Sequence, residues 1–443
     1  MNVQTPVPIC ELETPLIIKN EDGVIYTFTH SYSSKDLDDN YYIGTMKPPE
    51  GLDSCCVAVA EAYKEDGKVH DEPLFCHDVM AYKKVLLDLK QNNSDKLKKH
   101  KNLFSVTSKS SFGYTVRSAD HMLKFYEKVD NILPQLIDEY SEKFNKRFGI
   151  PKEDVKKKLE VQVKHIDFMP IDYLEDFGGY WFFLDNSIHI RDENDIDNLK
   201  TLLDHEFTHA LTQGTEKGHR IFKDVFRCGF EQQQGKEPPK YRALNEGATE
   251  WIAAETTGRT TICYYFNVGM FKCIKDLVGE EKTVKAFLEN NPNTVITSLS
   301  NTLNDNEYPH KMLALMDEWH KAQFYKNTAK KPAELRRQSQ TIAVGFVAQL
   351  EKVVENMNTI DSSLADLNAI FNCVKNNSIF LNDNIVSSNG RNLKRIERLQ
   401  NSIIEKYKEF GIDEKDILKK SQELSDIKIP SKKGFMKLGR WLR

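Results

Sequence analysis

An apolar series in the C-terminal third restricts the fold of this chain most. Ile342, Phe346, Leu350, Val353, Met357, Ile360, Leu364, Leu367 and Phe371 recur in eight steps over 29 residues, an average of about 3.6 per step. Only a helix brings such positions to one face, so the series predicts one long helix or two collinear ones. A second series (Leu393, Ile396, Leu399, Ile403, Tyr407, Phe410) follows the turn-like Ser-Ser-Asn-Gly at 387–390. Together they predict a helical C-terminal domain over residues 333–426, set off by the linker Lys-Asn-Thr-Ala-Lys-Lys-Pro at 326–332.

The rest of the chain is patterned differently. Short β-like runs (PLIIKN, GVIYTFTH, CCVAVAEAY) alternate with turn clusters and end in the polar stretch KQNNSDKLKKHKN, which predicts a mixed N-terminal region over residues 1–110. Beyond an N-cap candidate at 118–120, Met122, Phe125, Val129, Ile132, Leu136 and Tyr140 mark an amphipathic helix, with Pro134 a candidate kink. LEVQVKHIDF (159–168) alternates like a strand, and GGYWFFLDNSIHIRDEND (178–195) reads as a hairpin around Asp185-Asn186. The expected class is α+β.

A chain of 443 residues, 40 % hydrophobic and 29 % charged, is long enough for two or three cores and too polar for a membrane bundle. No run of about 18 apolar residues exists, and the start carries acids where a secretory leader has lysines. The expectation is a cytoplasmic protein with no integral membrane segment; signal-independent export leaves no mark in the sequence. Eight scattered cysteines without a CxxC pattern suit reduced thiols and argue against cysteine-bound zinc. Net charge is −4, but residues 427–443 hold six positive charges and no acid. That basic tail could contact an anionic surface, or pack its aromatics on the body as a solvated segment.

The candidate chemistry lies at TLLDHEFTHALTQG, residues 201–214. Four positions apart on a helix, His205 and His209 share a face and can point both imidazoles at one ion. Zinc suits two such nitrogens, a third protein ligand and a water, although other divalent ions accept the same donors. Glu206, beside His205, is placed to act as general base without being a ligand. Leu202, Leu203, Ala210 and Leu211 give the helix an apolar stripe. The extended form HExxHxxGxxH fails, because Thr212 and Thr215 stand where it needs Gly and His. In YRALNEGATEWIAAE (241–255), Glu246 can supply a carboxylate oxygen to the metal. Glu250, one turn on, can accept the free N–H of a ligand histidine.

With HEFTH at 205–209, NEGATE at 245–250 and the hairpin GYWFFLDNSIHI at 179–190, the chain resembles the gluzincin metallopeptidases of the thermolysin-like clan. The resemblance covers residues 120–320. It implies a zincin-like catalytic domain over 111–325, with a small sheet bearing an antiparallel edge strand and active-site helices. It also implies one zinc per chain on His205, His209 and Glu246, Glu206 as base and Glu250 as orienter. The first hairpin strand, with Tyr180, Trp181 and Phe182, would be the edge that pairs with a peptide or protein substrate. A Tyr or His downstream would donate to the oxyanion; Tyr308 and His310 lie in that interval, with Tyr264 and Tyr265 nearer. The 37 positions from His209 to Glu246 exceed the spacing of thermolysin and approach that of toxin proteases of the clan, so they must hold an insert, which Pro238-Pro239 would break before the glutamate helix. The aminopeptidase motif GxMEN is absent.

The expected activity is a zinc-dependent endopeptidase. Rival readings are a secreted effector or toxin-type protease cutting one host protein, a non-catalytic zincin-fold binding protein, and a nucleic-acid or membrane binder led by the tail.

Overall fold

Alternation at the start of the chain builds a five-stranded antiparallel sheet in which each strand neighbours the next. Its strands are β1 (Ile9–Lys19), β2 (Ile25–Ser33), β3 (Asn40–Lys47), β4 (Cys56–Glu65) and β5 (Lys68–Pro73). The computed structural model describes residues 9–425 apart from 20–24, 34–39, 48–55, 66–67, 74–78, 100, 105, 111–112, 164, 169–178, 183–186, 191–195, 217–224, 235–238, 325–330, 359 and 386–392. Tyr26 and Phe28 are buried on one face of β2, and its register against β3 shifts between Phe28 and His30. Gly44 pairs with Phe28 there, and a Cβ would collide with the Thr27 carbonyl oxygen, so this irregular pairing requires glycine.

By its internal contacts the chain divides into two compact units, Met1–Phe207 and Thr208–Arg443. In the first unit the sheet is followed by α1 (Val79–Asn92), α2 (Ser94–Lys99) and a 3-10 turn at Lys101–Phe104, so the polar stretch is helical. Lys98 and Lys99 face water while Leu97 is buried, and Phe104 is buried just beyond them. The hairpin β6 (Val106–Ser110) and β7 (Gly113–Arg117) leads into α3 (Ala119–Phe148). The Ser118 side chain caps α3 by accepting from the His121 N–H at 3.3 Å, and Gly149, at φ 73°, ends it in the left-handed conformation. Met122, Phe125, Val129, Leu136 and Tyr140 form its buried face, as their spacing predicts, while Ile132 of the same series is only half-buried and Pro134 is exposed.

The segment 159–168 corrects the sequence reading. Helix α4 (Lys152–Gln162) takes its first four residues, and only His165–Phe168 is a strand, β8. Val155, Leu159 and Val163, at a spacing of four, are buried, whereas Val161, which the alternation required to be inside, is 53 % exposed. The two periods coincide at Leu159 and Val163, and packing selects the helical one. The expected hairpin is present as β9 (Gly179–Phe182) and β10 (Ser187–Ile190), antiparallel, with Trp181 opposite Ile188. β10 also pairs in parallel with β8, which leaves β9 at the edge. Helix α5 (Ile196–Leu211) follows. Its Phe207 ring meets Tyr140 of α3 edge-on at 5.6 Å.

The second unit begins with the insert, an antiparallel three-stranded sheet of β11 (Gln213–Glu216), β12 (Val225–Cys228) and β13 (Glu231–Gln234). Helices α6 (Arg242–Thr257), α7 (Tyr265–Val278), α8 (Glu280–Leu288), α9 (Pro292–Leu303) and α10 (Tyr308–Phe324) follow. Pro239 lies just before α6. Next come α11 (Pro332–Glu355), α12 (Ile360–Ile385), α13 (Leu393–Glu409) and α14 (Glu414–Ser425). The long apolar series therefore spans two helices, and because α11 and α12 pack against each other they are not collinear. One apolar face cannot bury itself by extending; it folds back on its neighbour.

Helices and sheets together make this an α+β protein. Among the described residues no helix is long and apolar enough to cross a membrane. The Ser-Ser-Asn-Gly turn, most of the 326–332 linker, Pro238 and the basic tail at 427–443 lie outside the described residues.

Candidate metal centre

Two helices carry the candidate site. On α5, His205 and Glu206 are buried at 7 % and 5 % exposure. Leu203, Ala210 and Leu211 of the expected stripe are buried beside them. On α6, Glu246 and Glu250 are buried at 6 % and 0 %, supported by Leu244, Ala248 and Ile252, each fully buried. An i, i+4 spacing on each helix thus presents two polar groups along one line.

These helices bring together residues 37 positions apart in sequence. His205, His209 and Glu246 each offer one ligand atom within 4.8 Å of the others. His209 Nε2 stands 3.5 Å from Glu246 Oε2. At the other edge of the ring, His209 Nδ1 is 3.4 Å from Thr249 Oγ1 and 3.6 Å from Cys228 Sγ. Burial pulls the His209 pKa down, but the Glu246 carboxylate and the Cys228 contact outweigh it and hold the imidazole well above its ordinary value.

Glu250 is held from several sides. Arg259 donates to both its oxygens, Nη1 at 2.7 Å and Nη2 at 3.0 Å, and the Ile262 N–H donates to Oε1 at 2.8 Å. A second convergent group places a donor atom of His205, Glu250 and Cys263 within 4.8 Å of one another. Burial, then the Glu250 charge, pushes the Cys263 thiol well above its usual range.

The N-terminus of α6 is fixed by its neighbours. Tyr241 precedes it in the left-handed conformation, at φ 62°, and makes no side-chain cap. The cap comes from α10, where Asp317 accepts from the Tyr241 N–H at 2.7 Å and the Ala243 N–H at 2.8 Å. Burial raises the Asp317 pKa to about 6, against those hydrogen bonds and Arg242. Asn245 accepts from the Phe230 N–H at 3.0 Å, tying the insert sheet to α6.

Tyr308 and His310 do not occupy the expected place. His310 is exposed in the first turn of α10, and the Tyr308 hydroxyl lies against Gly345 of α11. His320 stands ten residues after His310 on the same helix, about 15 Å along its axis. His320 is 1 % exposed, its Nδ1 is 2.9 Å from Asn267 Nδ2, and its ring stacks on Tyr264 at 5.8 Å. Burial lowers its pKa to about 4, with Glu246 opposing and Arg242 adding to the shift.

Sequence reasoning missed His320, Asn267, Asp317, Arg259, Cys228 and Cys263. The one available signal was Asp317 with His320, polar residues three apart that directly follow the apolar Met316 and Trp319. The strand bearing Tyr180, Trp181 and Phe182 is β9, at the edge of its sheet. No protein-family model matches the chain, and no curated protein or solved structure is significantly similar to it.

Proposed function

We propose that this chain is a zinc-dependent endopeptidase with a zincin-like catalytic region. The observation that carries the reading is the convergence of His205, His209 and Glu246 donor atoms, with Glu206 buried in the same turn of α5. Two nitrogens and one carboxylate are a donor set that zinc accepts, leaving a position open for water. Bonds of about 2.0 to 2.1 Å in a tetrahedron set ligand atoms ~3.3 Å apart, and the His209–Glu246 separation of 3.5 Å fits that edge.

Zinc, when bound, supplies Lewis-acid polarisation of a carbonyl and lowers the pKa of water toward neutrality. The chain's own residues do the rest. Glu206 takes a proton from the attacking water and returns it to the leaving amine. Thr249 and Cys228 engage Nδ1 of His209, so Nε2 is the nitrogen directed at Glu246. Glu250, anchored by Arg259 and the Ile262 N–H, orients His205. His320 takes the role of oxyanion donor assigned from the sequence to Tyr308 or His310. Strand β9 receives an extended peptide as an added strand, since backbone pairing positions a substrate whatever its side chains.

The first test is elemental analysis of the purified protein beside a His205→Ala, Glu246→Ala double variant. About one zinc per chain, absent from the double variant, is the expected result; a wild-type protein without metal after zinc is added back removes the reading. Glu206→Gln should retain zinc and lose about 10²- to 10⁴-fold in turnover. Contact of the tail with an anionic surface is a separate part of the proposal, and deleting residues 427–443 should leave peptide cleavage unchanged.

A further inference from the structure

We infer that Asn267 is a positioning residue that holds His320 in the tautomer with its proton on Nε2, an inference that rests on reading this site as a peptidase. Asn267 on α7 and His320 on α10 are both buried, at 0 % and 1 % exposure, and their nitrogens Nδ2 and Nδ1 are 2.9 Å apart. A neutral imidazole has one N–H donor and one acceptor nitrogen, so the partner of Nδ1 decides which edge of the ring donates.

The two orientations of the amide are not equivalent. An amide NH2 group donates and does not accept, so with Nδ2 toward the ring Nδ1 is the acceptor. Nδ2 therefore donates, Nδ1 accepts, and the proton sits on Nε2.

The fold restricts both partners. Tyr264 stacks on the imidazole with 28° between the planes. Asn267 is brought close by Gly247, where a Cβ would stand 2.5 Å from the Asn267 carbonyl oxygen. Gly247 follows the ligand candidate Glu246 directly, so the same α6–α7 contact places the metal ligand and the residue that sets the tautomer. With the proton on Nε2, His320 can donate to a developing oxyanion; with it on Nδ1, Nε2 would present a lone pair and repel one.

The test uses the full chain labelled with 15N-histidine, the His320 ring nitrogens being assigned by their loss in His320→Gln. Wild type should show Nε2 protonated and Nδ1 bare. Asn267→Asp, whose carboxylate only accepts, should put a proton on Nδ1, and Asn267→Ala should give mixed tautomers. On a peptide cleaved by wild type, Asn267→Ala should lower kcat by about 10-fold with KM within about twofold, short of the ~10²- to 10³-fold loss on removing such a donor. Protonated Nδ1 in wild type, or bare Nδ1 in both variants, overturns the inference. The wild-type spectrum decides the tautomer even where a variant fails to fold. Zinc content of the same samples is read separately: its absence sinks the peptidase reading and leaves the tautomer result standing.

Discussion

Gly247→Ala isolates the close approach of α6 to α7. A Cβ at Gly247 would lie 2.5 Å from the Asn267 carbonyl oxygen, 2.7 Å from its carbon and 3.2 Å from Phe271 Cβ. Ordinary contact starts at 3.4 Å, so the helices must separate by about 0.9 Å, and backbone atoms cannot swing aside as a side-chain end can. Glu246 and Glu250 ride on α6, and metal bonds tolerate errors of only about 0.2 Å. Overpacking costs about 1–3 kcal/mol, against which alanine gains about 1 kcal/mol of helix propensity over glycine. The net expectation is a chain destabilised by up to about 2 kcal/mol, with zinc affinity reduced on the order of 10- to 100-fold. Gly345→Ala is the control. Its Cβ would meet nothing nearer than the Tyr308 hydroxyl at 3.7 Å, so it should stabilise by up to about 1 kcal/mol. Urea unfolding of the metal-free proteins and zinc titration of each read these effects. If Gly247→Ala were as stabilising as Gly345→Ala and bound zinc like wild type, the steric reasoning would be refuted.

Other perturbations test the surroundings of the site. Arg259→Met leaves the fully buried Glu250 without its bidentate partner and should cost about 3–5 kcal/mol in denaturant unfolding; a change below 1 kcal/mol would mean that Glu250 does not depend on Arg259. Asp317→Ala removes the acceptor for two N–H groups of α6 and should cost about 1–2 kcal/mol at pH 7. The Asp317 pKa is raised to about 6, so between roughly pH 4 and 6 the folded chain binds more protons than the unfolded one and stability falls as pH rises. Asn at position 317 should flatten that slope by about 1–2 kcal/mol across the window, and parallel pH–stability curves for the two proteins would contradict it. Chelation should lower the melting temperature, because zinc at about 100 times its Kd contributes about 2.7 kcal/mol; an unchanged melt would speak against a bound metal.

Where one period dominated, the sequence was legible. His205 with His209 and Glu246 with Glu250 are each set by a four-residue spacing that any helix converts into a shared face. The Ser118 cap, the α3 stripe and the hairpin at 179–190 are equally local, since a cap, a face and a two-strand register depend on neighbouring residues. Reading failed where two periods coincided, as at Leu159 and Val163, and where a helix had to end so that its apolar face could pack on the next, as between α11 and α12.

The sequence by itself determined which side chains could act as ligands and base, because chemistry and helical spacing are intrinsic to it. Only the tertiary structure decided which distant groups surround them. The cap from Asp317, the Asn267–His320 pair and the thiols of Cys228 and Cys263 all follow from how elements distant in sequence pack together. Such packing is set by close contacts like the one at Gly247, where a single missing Cβ fixes the separation of two helices, and no local pattern encodes that distance.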